Sequence, residues 1–396
     1  MSIPRVVLHK HKADAVKRFH PWIFSGAIKQ TEGELREGAV VDVYSHAGEF
    51  LATGHYGTGT IAVKIFAFAP VSDLEQLFLE KLQTAYQLRQ QLGLVNSPTT
   101  NCYRLINAEG DGFPGLIIDW YNGVAVMQAH SIGMYEQRSV LVRGLQHIYG
   151  AALKAVYDKS ASLLFRHAAS QDASRQDQYL LGESSPLEVL EFGHRFLVDW
   201  QTGQKTGFFL DQREHRALLA HYAKDQKVLN TFCYSGGFSI YALQAGARVV
   251  HSVDSSAKAV AWTKDNVALN PTTGDHAAFT DDVFTFLKDC DADYDIIVLD
   301  PPAFAKNLSA RHQAVMAYKR LNQLAISKLR RGGLLFTFSC SQVVIPEYFN
   351  GAVMAAAIET GRPTRILHHL TQPADHPVSI YHPEGLYLKG LVLRVD

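Results

Sequence analysis

The sequence predicts an α/β protein in which a doubly wound, mostly parallel sheet fills the C-terminal half. A small β-barrel and a small α+β region precede it. Three patterns lead to that class. Beyond about residue 190, short apolar runs alternate with helical patterns: "KVLNTF", "GGFSIYALQAG", "RVVHSVD", "SSAKAVAWTKDNVALN", "YDIIVLD". Residues 1–70 instead alternate β-branched and aromatic residues with glycine-rich breaks, as in "GAVVDVYSHAGEFLATGHYGTGTIAVKIF". Between them lies one strongly helical stretch and one hairpin pattern. The implied domains are residues 1–70, 71–185 and 186–396.

Bulk composition narrows the class further. A chain of 396 residues with 47% hydrophobic and 19% charged residues suits a soluble globular protein of two or three domains. No apolar run approaches the ~18 residues of a membrane helix, and "MSIPRVVLHKHK" becomes charged too early for a secretory signal. Cys102, Cys233, Cys290 and Cys340 form no CxxC pair, which argues against a zinc site and a disulfide framework. A cytoplasmic protein without metal or membrane partner is expected. The net charge is zero, yet residues 1–30 carry Arg5, Lys10, Lys12, Lys17, Arg18 and Lys29 against Asp14 alone. That excess reads either as a solvated face or as a footprint for nucleic-acid phosphates. Phe19, Trp22 and Phe24 are interleaved there and suit RNA stacking or core packing equally.

In chain order, "SDLEQLFLEKLQTAYQLRQQLGL" reads as a helix opened by a Ser72…Glu75 capping pattern. "YRLINAEGDGFPGLIIDWYNGVAVMQAH" reads as a hairpin with "EGDGFPG" as its loop, and "KAVYDKS" as a further strand. The polar stretch from about 168 to 185 is expected to be a linker or edge loop. "SARHQAVMAYKRLNQLAISKLRRGG" reads as a long helix with a glycine stop, and "LLFTFS" as the next strand.

In such a sheet, ligands sit at the carboxyl ends of the strands. "KVLN" leads into "TFCYSGGFS", where Gly236 and Gly237 are expected to let the backbone approach a ligand closely. The following strand ends at Asp254, beside Ser255, placing an acid where ribose hydroxyls can be bound. G-x-G-x-x-G is absent, so a nucleoside without a pyrophosphate fits better, and S-adenosylmethionine (SAM) is the candidate cofactor. Asp281 and Asp282 in "FTDDVFTF" follow the third strand and can read an adenine amino group or cap a helix. "IIVLDPPAFAKN" ends a strand at Asp300, with Pro301 and Pro302 holding the loop stiff beside the cofactor. "FTFSCSQ" delivers Cys340 from the next strand. A thiolate at Cys340 can add to C6 of cytosine and activate C5 towards a methyl sulfonium, with Asp300 stabilising the adduct at N3 or N4. Taken alone, the cysteine is a packing residue.

Together these motifs resemble the class I SAM-dependent RNA cytosine-5 methyltransferases of the RlmI type, which act on bacterial large-subunit (23S) ribosomal RNA. The resemblance covers essentially the whole chain. "HPWIFSGAI" and the strands after it resemble the family's N-terminal PUA domain, an RNA-binding barrel. "AEGDGFPGLIIDWY" resembles its central domain. "QKTGFFLDQREHR", "LNTFCYSGGFS", "DPPAF", "FSCS" and "ADHPV…YHPEGLYLKG" resemble its Rossmann-like methyltransferase domain.

The likeness implies Phe209, Asp211 and Arg213 near the cofactor, which is cradled by Tyr234, Ser235, Gly236, Gly237 and Phe238. Asp254 with Ser255 would hold the ribose, Asp281 and Asp282 the adenine, and Pro301 would lie alongside. Asp300 would face the cytosine and Cys340 would be the nucleophile. Pro302, Phe304 and Lys306, with Arg5, Lys10, Lys12 and Arg18, would contact RNA. Many cytosine-5 enzymes carry a second cysteine after Asp-Pro-Pro, and here Ala303 stands there instead. Cys233 reads as packing, and His376 and His382 as structural or RNA-contacting. Two other functions stay open: an N-methyltransferase acting on guanine or adenine, with Phe304 stacked on a flipped base, and an RNA-binding assembly factor without activity. The barrel can also serve self-association as a homodimer.

Overall fold

Alternation at the N-terminus is realised as six strands: β1 (Arg5–Leu8), β2 (Trp22–Phe24), β3 (Ile28–Glu32), β4 (Val40–Tyr44), β5 (Phe50–Tyr56) and β6 (Ile61–Ala67). They pair in the order β2-β6-β5-β4-β1-β3 as a barrel-like sheet, antiparallel except where β1 runs parallel to β4. On β4, Val41 and Val43 point inward, joining Val6, Leu8, Ile23, Val63 and Ile65 in one apolar cluster. The computed structural model describes residues 3–165 and 176–396.

A second sheet contains β7 (Cys102–Asn107), β8 (Leu116–Tyr121), β9 (Val124–Ala129), β10 (Ala155–Asp158) and β11 (Gln178–Leu181), in the order β11-β10-β9-β8-β7. The expected hairpin is therefore two turns of a meander: Glu109–Gly115 joins β7 to β8, and Asn122–Gly123 joins β8 to β9. The helix Leu74–Gln91 packs Phe78 and Leu82 on this sheet's core. Its N-cap is Asp73, not Ser72: the Asp73 carboxylate accepts from the Gln76 amide at 3.0 Å, one residue later than the Ser-Glu pattern implied. Of the expected linker, residues 168–175 lie outside the described residues, and Gln178–Leu181 is a strand paired with β10.

The third sheet is the doubly wound one. It comprises β14 (Lys227–Thr231), β15 (Val249–Asp254), β16 (Asp275–Thr280), β17 (Tyr294–Leu299), β18 (Leu329–Ser339), β19 (Thr364–Leu370) and β20 (Lys389–Val395), following a short hairpin of β12 (Leu187–Glu191) and β13 (His194–Val198). The order β16-β15-β14-β17-β18-β20-β19 is parallel from β16 to β18, with β20 antiparallel to both of its neighbours. Every residue of β17 is buried, as expected for a strand covered on both faces. Leu229, Ile297, Leu299 and Leu335 face one helical layer through Tyr318, Leu321 and Phe349. Val228, Ile296, Val298 and Phe336 face the other through Phe238 and Ala242.

The glycine stop is corrected here. The long helix ends at Lys328 and β18 begins at once with Leu329, so Gly332 and Gly333 lie inside the strand. The pairing with β17 slips between Tyr294 and Ile296, and Gly332 adopts a left-handed φ of +80° at that irregularity.

The described residues form two compact units. One comprises Met1–Val189, Val198–Leu210 and Ala374–Gly385, the other Leu190–Leu197, Asp211–Pro373 and Leu386–Asp396. Among the described residues, no helix is long and apolar enough to cross a membrane.

Candidate active site

The sheet order reverses at β14, where β15 leaves on one side and β17 on the other. That switch point is where a doubly wound sheet opens a crevice at its carboxyl edge. The chain leaves β14 through an unusual turn: Phe232, Tyr234 and Gly236 all take left-handed φ values, +53°, +47° and +82°. A non-glycine residue there is strained and persists only when its surroundings hold it. They do so here. The Cys233 amide donates to Val253 O, the Tyr234 amide to Asp254 Oδ2 at 3.0 Å, and Thr263 Oγ1 to Tyr234 O. Asn266 Nδ2 donates to Ser235 O at 2.9 Å.

Protein packing alone already requires the glycines in this turn, whatever lies on their other side. A Cβ on Gly236 would lie 2.8 Å from Thr263 Cγ2, and one on Gly237 would lie 2.9 Å from Arg216 Cδ. Arg216 is itself buried and donates twice to Glu191, at 2.8 Å each, while the Tyr241 hydroxyl donates to the same carboxylate. Ser235 and Phe238 are 2% and 5% exposed, with the Phe238 ring 5.8 Å from Phe338 in the core. From these two residues, backbone is therefore what the crevice can receive. Cys233 is buried, and desolvation pushes its thiol up to about 12, as a packing residue requires.

Asp254 ends β15 with one oxygen accepting from Tyr234 and the other from the Ser256 amide at 2.9 Å. A carboxylate accepts about four hydrogen bonds, so this one is fixed in orientation and keeps capacity for hydroxyls. Ser255 beside it is exposed. After β16, Asp282 caps the helix Val283–Asp289 by accepting from Thr285 N, and Asp281 Oδ1 accepts from Asp282 N. Both acids stand at the carboxyl edge, with Asp282 committed in part to capping.

Asp211 and Arg213 are nearly buried, and the Tyr387 hydroxyl donates to Asp211 Oδ2 at 2.6 Å. Just beyond them His215 meets Gln212 and, at 2.9 Å, Thr371 O; burial lowers its pKa to about 4. Phe209 belongs to the other unit, where Lys205 Nζ lies 4.9 Å from its ring centre.

β17 and β18 are parallel neighbours, Leu299 facing Thr337. Asp300 and Cys340 thus leave adjacent strand ends, both half-buried, and the Cys340 thiol points its weak donor at Pro301 O, 3.9 Å away. Pro301 is buried, whereas Pro302 and Lys306 are exposed. Phe304 is half-buried with its ring 4.7 Å from Tyr318. The Ser341 hydroxyl donates to Ala305 O at 2.6 Å, which ties the two loops together.

Two participants escaped sequence reasoning. Tyr387 and Lys389 lie in the quoted "GLYLKG", yet nothing in its spacing marks them. Lys389 is 6% exposed, and its ammonium donates to Ser341 O and Tyr387 O, 2.7 Å each.

In the other unit, Arg5, Lys10, Lys12 and Arg18 are exposed, with the Arg5 guanidinium 4.9 Å from the Tyr44 ring centre. Lys17 is already paired with Glu49 at 2.6 Å, so the local basic excess is smaller than counted. Phe19 and Phe24 are each 47% exposed, which removes them from the core. Phe19 has φ +64° and packs edge-on against Phe68 and at a tilt against Tyr381, both at 5.2 Å. His376 and His382 are buried in this unit, His376 against Asp375 and His382 against the Trp22 ring at 4.2 Å.

Residues 6–68 match the PUA-like domain family, and residues 103–379 match the S-adenosylmethionine-dependent methyltransferase family. The chain is 39% identical over 400 residues to the "Ribosomal RNA large subunit methyltransferase I" of Klebsiella pneumoniae (strain 342), covering 99% of this chain and 98% of that one. It is likewise 39% identical over 403 residues to the protein of that name from Escherichia coli (strain SMS-3-5 / SECEC), covering 100% of both. Among solved structures, a candidate SAM-dependent methyltransferase from Streptococcus mutans matches with a TM-score of 0.83 at 24% identity, all of both chains covered. A candidate methyltransferase solved with SAH matches at 0.84 and 24%, again over all of both chains. At that identity both matches speak to the fold.

Proposed function

This chain belongs to the S-adenosylmethionine-dependent methyltransferase family, and we propose that it methylates C5 of a cytosine in large-subunit (23S) ribosomal RNA. The observation that carries the reading is the pairing of β17 with β18, from which a carboxylate and a thiol emerge side by side at the carboxyl edge. The relatives are named for large-subunit ribosomal RNA, which supports the RNA class, and the exposed cations of the N-terminal sheet suit its phosphates.

SAM supplies an electrophilic methyl group on a positively charged sulfur. The residues present fit it: a strained turn braced from behind, a fixed Asp254 for the ribose diol with Ser255 beside it, and Asp281 and Asp282 at the next strand end. Tyr234 to Phe238 would line it through backbone, with Asp211, Arg213, Asp300 and Pro301 completing the site. Cys340 would then form a bond from sulfur to C6 of the cytosine while Asp300 stabilises the adduct at N3 or N4. The electron pair displaced onto C5 would accept the methyl group as its bond to the sulfonium breaks, the donor leaving as a neutral thioether. Loss of the C5 proton to a base expels the thiolate and restores the ring. Pro302, Phe304 and Lys306 would flank the base, and Arg5, Lys10, Lys12 and Arg18 would position the RNA. Functional division at residues 70 and 185, a cytoplasmic setting and turnover without a metal complete the proposal.

The test uses labelled SAM and unmethylated large-subunit RNA, with the product identified as a nucleoside by mass spectrometry. Wild type is expected to make 5-methylcytidine, and Cys340→Ala to lose at least ~10³-fold in transfer while still binding SAM. An N-methylated purine, or an active Cys340→Ala, gives the site to an N-methyltransferase. Failure of wild type to bind SAM leaves an RNA-binding assembly factor.

A further inference from the structure

Lys389 opens β20, and the register places it directly across from Ser339, the residue before Cys340. A lysine in that position is costly, because burying an ammonium forfeits its hydration. The site compensates incompletely: two carbonyls receive its protons, Ser341 O just after the cysteine and Tyr387 O on its own strand's approach, and among the described residues no carboxylate forms an ion pair with it. Burial draws its pKa down to about 8, with Cys340 acting in the opposite direction, so at neutral pH it still carries its proton. The other ionisable groups around Cys340 are Asp300 from β17 and Tyr318 from the helix Arg311–Lys328, whose phenol burial keeps neutral. Of the three, Lys389 alone can carry positive charge.

We propose that Lys389 is a positioning residue that holds the sulfur of Cys340 as a thiolate and fixes the strand end that carries it. The inference rests on the covalent reading of the site given above and adds the source of the nucleophile's ionisation. The two carbonyl contacts fix where the charge sits. The Ser341 contact also clamps the backbone on the far side of the cysteine, so the charge and the sulfur are held by one structural unit. A cation beside a cysteine is the ordinary means of stabilising a thiolate, the species that attacks carbon. No proton transfer to or from Lys389 is required: the thiol proton leaves to solvent, and the ammonium balances the charge that remains.

The test measures the pH dependence of Cys340 alkylation by iodoacetamide in the full-length protein, mapped by mass spectrometry with Cys340→Ser as the blank. Lys389→Met is expected to move the alkylation midpoint up by about one unit and to slow the reaction ~10-fold at pH 7, with Lys389→Arg restoring most of it. SAM affinity is measured alongside to show that each variant is folded. An unchanged profile in folded Lys389→Met overturns the proposal. Should that variant fail to fold, the wild-type protein decides. The thiolate absorbance that disappears in Cys340→Ser must then titrate below the ordinary thiol value of ~8.5, and a titration at or above it overturns the proposal. Alkylation reads the thiol whatever base is methylated. A Lys389-dependent profile combined with an active Cys340→Ala would therefore sink the covalent reading alone.

Discussion

The carboxyl edge of the doubly wound sheet and the basic rim of the N-terminal sheet handle charge in opposite ways. At the sheet edge, ionisable groups are held by fixed hydrogen-bond partners. Asp254 is pinned by two amides, Asp211 by a tyrosine hydroxyl, and Lys389 by two carbonyls. On the rim, Lys10, Lys12 and Arg18 are exposed to solvent and form no ion pair among the described residues. Fixed groups suit chemistry that needs a geometry, whereas mobile cations suit a polyanion that can be met at many angles. Removing one of the first should therefore cost a specific function sharply. Removing one of the second should cost binding slightly and evenly.

Asp254→Ala gives the largest effect of this contrast. Loss of a charged acceptor for the ribose diol is worth about 1.5–3 kcal/mol, or roughly 10- to 100-fold in SAM affinity by calorimetry. Asp254→Asn keeps an oxygen for the turn but gives up the charge, so it should fall between. Equal affinity for all three would place the ribose elsewhere.

A medium effect comes from acid, and it falls on both units. His55 on β5 and His215 near the cofactor turn are almost fully buried, and desolvation lowers each to about 4. The folded protein thus holds them neutral while the unfolded chain takes up protons near ~6.5. The stabilisation is complete above ~6.5 and is lost as pH falls from there towards 4. Between pH 7.5 and pH 5 each should weaken its own unit by about 2 kcal/mol, read from urea unfolding. His55, whose ring nitrogens have no hydrogen-bond partner, isolates desolvation best. If His55→Phe leaves the acid sensitivity of its unit unchanged, that attribution fails.

How much of this was legible follows from the range of the interactions. The strand–helix alternation and the acids and thiol at successive strand ends are local patterns, read from short apolar runs and the residues that close them. What stayed hidden is set by pairing across distance. The packing of Thr263 and Arg216 behind Gly236 and Gly237 leaves no mark in the local pattern. Lys389 looks like any late lysine until β20 inserts antiparallel beside β18. The strand onset at Leu329 was masked for the same reason: helix-forming residues run up to Lys328, and only pairing with β17 ends the helix there. The basic rim was over-read because Glu49, which neutralises Lys17, lies 32 residues away.

That last pair yields the smallest and most selective prediction. A lysine that meets an RNA phosphate releases a counterion, and its removal should lower the slope of log affinity against log salt by about 0.7–0.9. Lys12 is exposed and makes no ion pair among those of the described residues, whereas Lys17 is held 2.6 Å from Glu49. Lys12→Ala should therefore reduce the slope by nearly one unit and weaken binding to large-subunit RNA a few-fold. Lys17→Ala should change the slope by much less, because releasing Glu49 also adds a negative charge that is not tied to salt uptake on the RNA. Glu49→Gln turns the comparison around: it frees Lys17 for the polyanion, so affinity and slope should both rise. If Lys12→Ala and Lys17→Ala give equal slopes, the Glu49 contact does not persist in solution. The rim then acts as an undivided field of charge, with no sorting of its cations into bound and available.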